Sequence, residues 1–317
     1  MIGVIGAGAF GTALAVAQAA EGREVRLWGR DAGAMAAAER AREVPRLPGV
    51  ALPPSLGCTS ELADLAGAEA LLLVVPAQET GAFLRAAKGL PTGPLVLCAK
   101  GIDAATHRRQ TEIAAARAPG RPLAALTGPG FAAEIARGLP TALTLASADP
   151  GVGPALQALL ATRRLRLYLT DDVTGAELGG ALKNVIAIAC GMVEGSRLGA
   201  SARAALMTRG FAEMTRLAVA MGARAETLAG LSGLGDLSLT CNSSQSRNFA
   251  LGQALGAGEA RPGGTVEGVA TARAACALAA AHGVELPIAA AVADVLDGTV
   301  TLAGAMEALL ARPLTTE

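Results

Sequence analysis

The sequence predicts an α/β protein: a mostly parallel sheet domain over residues 1–172, then an all-α domain over residues 173–317. Three observations carry this. Short, nearly continuous apolar runs alternate with helix-like segments through the first half, as in a parallel sheet covered on both faces. Strand signals then stop near Thr170, and Ala, Leu, Met and Arg recur at helical spacing. Finally, 317 residues suffice for about two domains with ample core.

The elements follow in order. Ile2–Ile5 reads as the first strand, a glycine-rich turn follows, and 12–20 reads as a helix. Further strands are expected at Val25–Trp28, 70–75, 95–98, 123–126, Thr141–Ala146 and 165–169, with helices at 78–88 and Gln110–Arg117. Later helices are expected near 174–195, 201–221, 247–256, 268–281 and 287–296. Gly222, 230–235 and 256–264 separate them, the last reading as a mobile loop. Residues 1–20 carry no charge and imitate a signal sequence or membrane span. No basic segment opens them, and Gly3, Gly6, Gly8 and Gly11 interrupt the run. The expectation is a soluble, cytoplasmic protein.

Lys plus Arg and Asp plus Glu each number 27, which excludes a general nucleic-acid binder. An apolar content of 52% excludes a disordered chain. Cys58, Cys98, Cys190, Cys241 and Cys276 are widely spread with no C-x-x-C. That pattern fits reduced thiols, with no disulfide framework and no metal site.

Gly6-Ala7-Gly8-Ala9-Phe10-Gly11 links an apolar strand to a helix, as a dinucleotide fingerprint requires. Its glycines allow a tight turn and let backbone N–H groups reach a pyrophosphate. The sheet domain therefore reads as Rossmann-like. At the end of the second strand stands Trp28-Gly29-Arg30-Asp31. Arg30 favours NADP through a 2′-phosphate contact, Asp31 keeps NAD open, and an ordinary solvated Arg30 is the plain alternative.

Only three of the cations are lysines: Lys88, Lys100 and Lys183. Neither histidine is a good proton carrier. His107 lies beside Arg108 and Arg109 as on a solvated surface, and His282 precedes Gly283 at a helix end. Lys88 is expected to close a helix before Gly89. Lys100 closes a strand, where α/β sheets bind ligands. Lys183 shares a helical stripe with Ala176, Gly180, Ala187 and Cys190. It either snorkels to the surface or is simply ion-paired, or it faces a site where desolvation suits it to proton transfer. Asp236 is an isolated acid that could pair with a catalytic cation or cap a helix. Ser246-Arg247-Asn248 precedes a helix-like run and could receive a phosphate, or Ser246 could simply cap.

Together these motifs resemble the bacterial-type NAD(P)-dependent glycerol-3-phosphate dehydrogenases over essentially the whole chain. The resemblance rests on residues 4–15, Ala99-Lys100-Gly101, 128–134, 180–188, 233–237, Gln245-Ser246-Arg247-Asn248 and Val266-Glu267-Gly268. It implies reversible reduction of dihydroxyacetone phosphate to sn-glycerol 3-phosphate with NADP or NAD, feeding glycerophospholipid synthesis. It implies Lys183 as proton donor/acceptor, Asp236 as its orienting partner, and Lys100 touching substrate and cofactor. Gly128, Gly130, Asp236, Ser246, Arg247 and Asn248 then match substrate positions. Ala9, Phe10, Arg30, Ala132, Arg247, Thr265 and Glu267 match cofactor positions, with Asn184 and Thr240 in support. Gly130 departs from a usual Ser or Thr, so only backbone could serve there, and Thr265 stands where Val is frequent. A homodimer is the candidate assembly. The rival readings are an NADP-linked β-hydroxyacid reductase of the same plan and a non-catalytic nucleotide sensor.

Overall fold

A computed structural model describes residues 1–313. The chain divides into two compact units. The first holds Met1–Lys100 and Arg109–Ala176; the second holds Gly101–Arg108 and the chain from Glu177 on.

The first unit is built on eight strands: β1 (Ile2–Ile5), β2 (Val25–Trp28), β3 (Leu56–Thr59), β4 (Ala70–Leu73), β5 (Leu95–Leu97), β6 (Leu123–Thr127), β7 (Thr141–Ala146) and β8 (Leu165–Thr170). They form one sheet in the order β3-β2-β1-β4-β5-β6-β7-β8. Every pairing is parallel except β6 with β7. β1 and β4 are buried along their whole length, as expected of central strands covered by helices on both faces. The helices of this unit are α1 (Ala9–Ala19), α2 (Ala32–Ala41), α3 (Thr80–Ala86), α4 (Gln110–Arg117), α5 (Ala132–Ala136) and α6 (Val152–Leu160). The uncharged start of the chain is thus a central strand and a core helix.

The second unit is helical: α7 (Val173–Gly195), α8 (Ala200–Ala220), α9 (Ala225–Ala229), α10 (Asp236–Cys241), α11 (Arg247–Ala257), α12 (Glu267–Ala281), α13 (Pro287–Asp297) and α14 (Leu302–Leu310). One turn of π-helix, Leu231–Gly235, leads into α10. α7 begins in the first unit and supplies the second unit's core, with Leu182, Val185, Ile186 and Ile188 almost fully buried. Among the described residues it alone is long and apolar enough to cross a membrane, yet 89% of that stretch is buried. It is a core helix of the fold.

Several expectations shift in detail. β3 and α2 are additional elements, as are the short helices α5, α6, α9, α10 and α14. The helix expected to reach Lys88 stops at Ala86, so Lys88 offsets no helix end from within it. The segment read as a loop from Gly256 begins later, because α11 continues to Ala257 and ends on left-handed Gly258. His282 is the C-cap residue of α12, followed by Gly283 at positive φ.

Candidate active site

The fingerprint turn sits at the C-terminal end of β1, where the strand order reverses between β1 and β4. Its three glycines have separate reasons. Gly6 has φ +120°, and a Cβ there would stand 2.6 Å from the Val74 carbonyl oxygen. A Cβ on Gly11 would stand 2.0 Å from the Gly6 carbonyl oxygen, so Gly11 lets α1 close onto the strand. Gly8 has nothing within 4 Å. It is therefore not required by the protein's own packing, and its open side suits a close-approaching ligand. Gly8 is the N-cap of α1 with no side-chain cap and no acid in the first turn, so the helix end keeps its positive potential. These features fit a dinucleotide pyrophosphate.

Further groups collect at the same ends of neighbouring strands. Lys100, just beyond β5, donates to the Gly128 carbonyl at 2.8 Å. Its Nζ also lies 5.6 Å from the centre of the Phe10 ring. Gly128, just beyond β6, has φ +128° and packs against the Leu143 backbone, which no larger residue would tolerate. A Cβ at Gly130 would come within 3.0 Å of Ile135 Cδ1 and 3.2 Å of Thr141 Cγ2. A larger residue there would need those two side-chain ends to give by a few tenths of an ångström. Ala132 opens α5 and packs with Ala9 and Phe10 of α1. Lys100, Gly128, Ala9, Phe10 and Ala132 thus belong to one neighbourhood. Beyond β2, Asp31 caps α2 by accepting from the Ala34 N–H at 2.9 Å. Arg30 beside it is exposed.

In the second unit, Lys183 lies mid-helix in α7 and is 6% exposed, so it does not snorkel to the surface, while the ion-paired alternative is met by Asp236. Its Nζ donates to Asp236 Oδ1 at 2.8 Å and to Thr240 Oγ1 at 2.6 Å. Asp236 and Thr240 are four residues apart on α10 and so share a face. Asp236 opens α10 one residue after its N-cap Gly235, and its Oδ1 accepts from Lys183 and Thr240. The π-turn explains the approach. Gly179, one turn before Lys183, admits the Ser232 carbonyl oxygen to 2.8 Å of where a Cβ would be. Gly233 in turn sits on the Leu228 carbonyl. The Gly-Leu-Ser-Gly-Leu sequence at 230–234 is therefore a packing device, with Ser232 buried against Thr227. At this depth a carboxylate at 2.8 Å gives the lysine a partner in place of water.

Ser246 caps α11, accepting from the Phe249 N–H at 3.2 Å. Capping and anion binding are compatible, since the hydroxyl can still donate. Arg247 begins the helix and is exposed, and no acid stands in its first turn. Asn248 is held differently from a free ligand. Its Nδ2 donates to Asn184 Oδ1 and its Oδ1 accepts from the Gly268 N–H, both at 2.9 Å. Sequence reasoning points to both asparagines separately but not to this amide link, which joins residues 64 positions apart. Thr265 is exposed just ahead of α12, and Glu267 is its first residue. Among the described residues no cluster of His, Cys, Asp and Glu could hold a metal ion.

Comparison with known proteins identifies the family. The family model described as NAD-dependent glycerol-3-phosphate dehydrogenase N-terminus matches residues 1–152, and its C-terminus counterpart matches residues 172–307. A relative from Methylobacterium radiotolerans, named glycerol-3-phosphate dehydrogenase (NAD(P)+), is 56% identical over 99% of this chain and 97% of its own. One of the same name from Cereibacter sphaeroides is 58% identical over all of both chains. The crystal structure of glycerol-3-phosphate dehydrogenase from Coxiella burnetii is 37% identical, covers 98% of each chain and superposes with a TM-score of 0.93. The chain belongs to the NAD-dependent glycerol-3-phosphate dehydrogenase family.

Proposed function

We propose that this protein interconverts dihydroxyacetone phosphate and sn-glycerol 3-phosphate with NADP or NAD, in the cytoplasm, and so supplies glycerophospholipid synthesis. The buried Lys183–Asp236–Thr240 cluster carries the reading. It is a proton-bearing group held in one orientation away from bulk water, as general acid/base chemistry requires. The dinucleotide-binding role falls mainly to residues 1–172 and the catalytic and phosphate-binding role mainly to 173–317, with Lys100, Gly128 and Gly130 of the first stretch serving the substrate and Arg247, Thr265 and Glu267 of the second serving the cofactor.

When bound, the nicotinamide supplies a hydride to the ketone carbon. Gly6, Gly8 and Gly11 with the α1 N-terminus hold its pyrophosphate, beside Ala9, Phe10 and Ala132. Arg30 takes the 2′-phosphate of NADP. Thr265, Glu267 and Arg247 complete the cofactor contacts. Lys183 gives its proton to the carbonyl oxygen as negative charge grows there, and takes it back in the reverse direction. Asp236 keeps the lysine charged and aimed. Lys100 stabilises the growing oxyanion. Gly128 and Gly130 offer backbone only. Ser246, Arg247 and the α11 N-terminus grip the phosphate, whose binding energy positions the reacting carbonyl. Asn248 supports that end. The test is a matrix of NADPH and NADH against dihydroxyacetone phosphate and small keto acids. Turnover of dihydroxyacetone phosphate should far exceed that of the keto acids, and preference for a keto acid would overturn the assignment.

A further inference from the structure

The two chemical centres of the second unit, Lys183 and the Ser246–Arg247 end of α11, are carried by helices that touch backbone to backbone. Four glycines permit the contact. A Cβ on Gly191 of α7 would stand 2.1 Å from the Phe249 carbonyl oxygen, and one on Gly195 would stand 2.1 Å from that of Gln253. From the other side, a Cβ on Gly252 would stand 2.0 Å from the Ile188 carbonyl oxygen, and one on Gly256 would stand 2.3 Å from that of Met192. Each pair is spaced by one helical turn and so lies on one face.

The contacts also set a register. Asn248 bonds Asn184 across an offset of 64 residues. Ile188 with Gly252 and Met192 with Gly256 continue that offset, so α7 and α11 run parallel. The same register sets Lys183 level with Arg247, the first residue of α11. Both ends of the seam are pinned. Asn248 also holds the start of α12 through Gly268, whose Cβ would collide with Asn248 and with the Asn184 carbonyl. Ser196 Oγ donates to the Gly256 carbonyl at 3.2 Å at the far end. The glycines bring no side chain to these contacts, so no rotamer can absorb a shift.

We propose that this glycine seam, closed by the Asn184–Asn248 amide link, is a specificity-determining gauge. It holds the proton donor and the anion receptor at one separation, so substrates are selected by the number of atoms between carbonyl and phosphate. The proposal rests on the reading that α11 receives the substrate phosphate. Asn184, Gly191 and Gly252 are then positioning residues, acting through Lys183 and Ser246–Arg247.

Gly252→Ala tests it. The added methyl must push α11 off α7, and a displacement on the order of 1 Å should lower kcat/KM for dihydroxyacetone phosphate about 100-fold. Dihydroxyacetone lacks the phosphate and should change less than about threefold, because it draws no binding energy from α11. A homologue with one more methylene, 1,4-dihydroxybutan-2-one 4-phosphate, should gain on the natural length. An equal fall for phosphorylated and unphosphorylated substrates overturns the gauge, as does unchanged discrimination in the folded variant. Asn184→Ala removes the link without a clash and carries the same comparison if Gly252→Ala does not fold. Reduced discrimination there supports the gauge and retained discrimination removes it. Wild-type turnover of dihydroxyacetone phosphate is read separately. Its absence removes the functional assignment, whereas its presence beside unaltered discrimination in the variants removes only the gauge.

Discussion

Replacing Lys183 by methionine keeps the aliphatic stem and deletes the charge, which separates chemistry from packing. The side chains of Lys183 and Asp236 are 7% and 2% exposed and 2.8 Å apart. At an effective dielectric constant near 20, that separation gives a gross attraction of about 6 kcal/mol. Desolvation offsets part of it, and removing one partner of such a pair typically costs about 3–5 kcal/mol by leaving the other charge stranded. Lys183→Met should therefore lose about that much stability in urea at pH 7. Adding Asp236→Ala should return part of it, because the stranded carboxylate is gone. In the same protein kcat should fall roughly 100- to 10,000-fold, the usual contribution of a positioned general acid. NADPH affinity, measured by fluorescence titration, should be unchanged. Near-normal kcat in Lys183→Met would refute the proton-transfer role. A double variant less stable than the single one would refute the picture of a compensated buried pair.

Separate features of the chain make further outcomes testable. Arg30→Ala should raise KM for NADPH about tenfold, as for a lost charge-assisted hydrogen bond, and leave KM for NADH nearly unchanged; an equal effect on both removes the 2′-phosphate contact. Gly8→Ala should keep the wild-type Tm while raising cofactor KM, because only the ligand side is open there. Gly11→Ala should instead destabilise by about 1–3 kcal/mol through overpacking, and equal Tm values for the two variants would contradict their assigned roles. Glu213 on α8 is buried and accepts from the N–H groups of Ile288 and Ala289 at the start of α13. Burial pushes its carboxyl above the ordinary 4.5, against the pull of those two donors. Its contribution to stability is thus complete below pH 4.5 and is lost as pH rises through the raised value. Urea midpoints of wild type and Glu213→Gln should diverge in favour of the variant over that rise, and parallel profiles would contradict the shift.

Much of the proposed site is legible in the sequence because its features are local. The fingerprint needs three glycines within six residues after a strand, and all are visible without a structure. Lys183 stands out because lysine is scarce here and its helical stripe is apolar. Its partner can only be guessed from sequence, since Asp236 lies 53 residues away and fits a helix cap equally well. β3 escapes because Leu56-Gly57-Cys58-Thr59 is short, glycine-containing and without a long apolar run. α5, α9 and α10 escape because five or six residues are too few to display a helical period. The glycine seam is hidden for a different reason. Glycines inside a helix read as weak positions, and nothing in one helix announces the backbone it will rest on.

The path of the chain between its two compact units constrains how the protein can be divided. The backbone passes from one unit to the other after Lys100, returns at Arg109 and leaves again after Ala176. Ile102, in the short excursion, is completely buried in the helical unit's core. A single proteolytic cut between the halves would therefore not yield two self-sufficient pieces. An isolated N-terminal fragment would carry a detour, Gly101–Arg108, whose buried isoleucine has lost its surroundings, and the C-terminal fragment would lack that plug. Purifying either half alone therefore calls for deleting that detour from the first piece or grafting it onto the second.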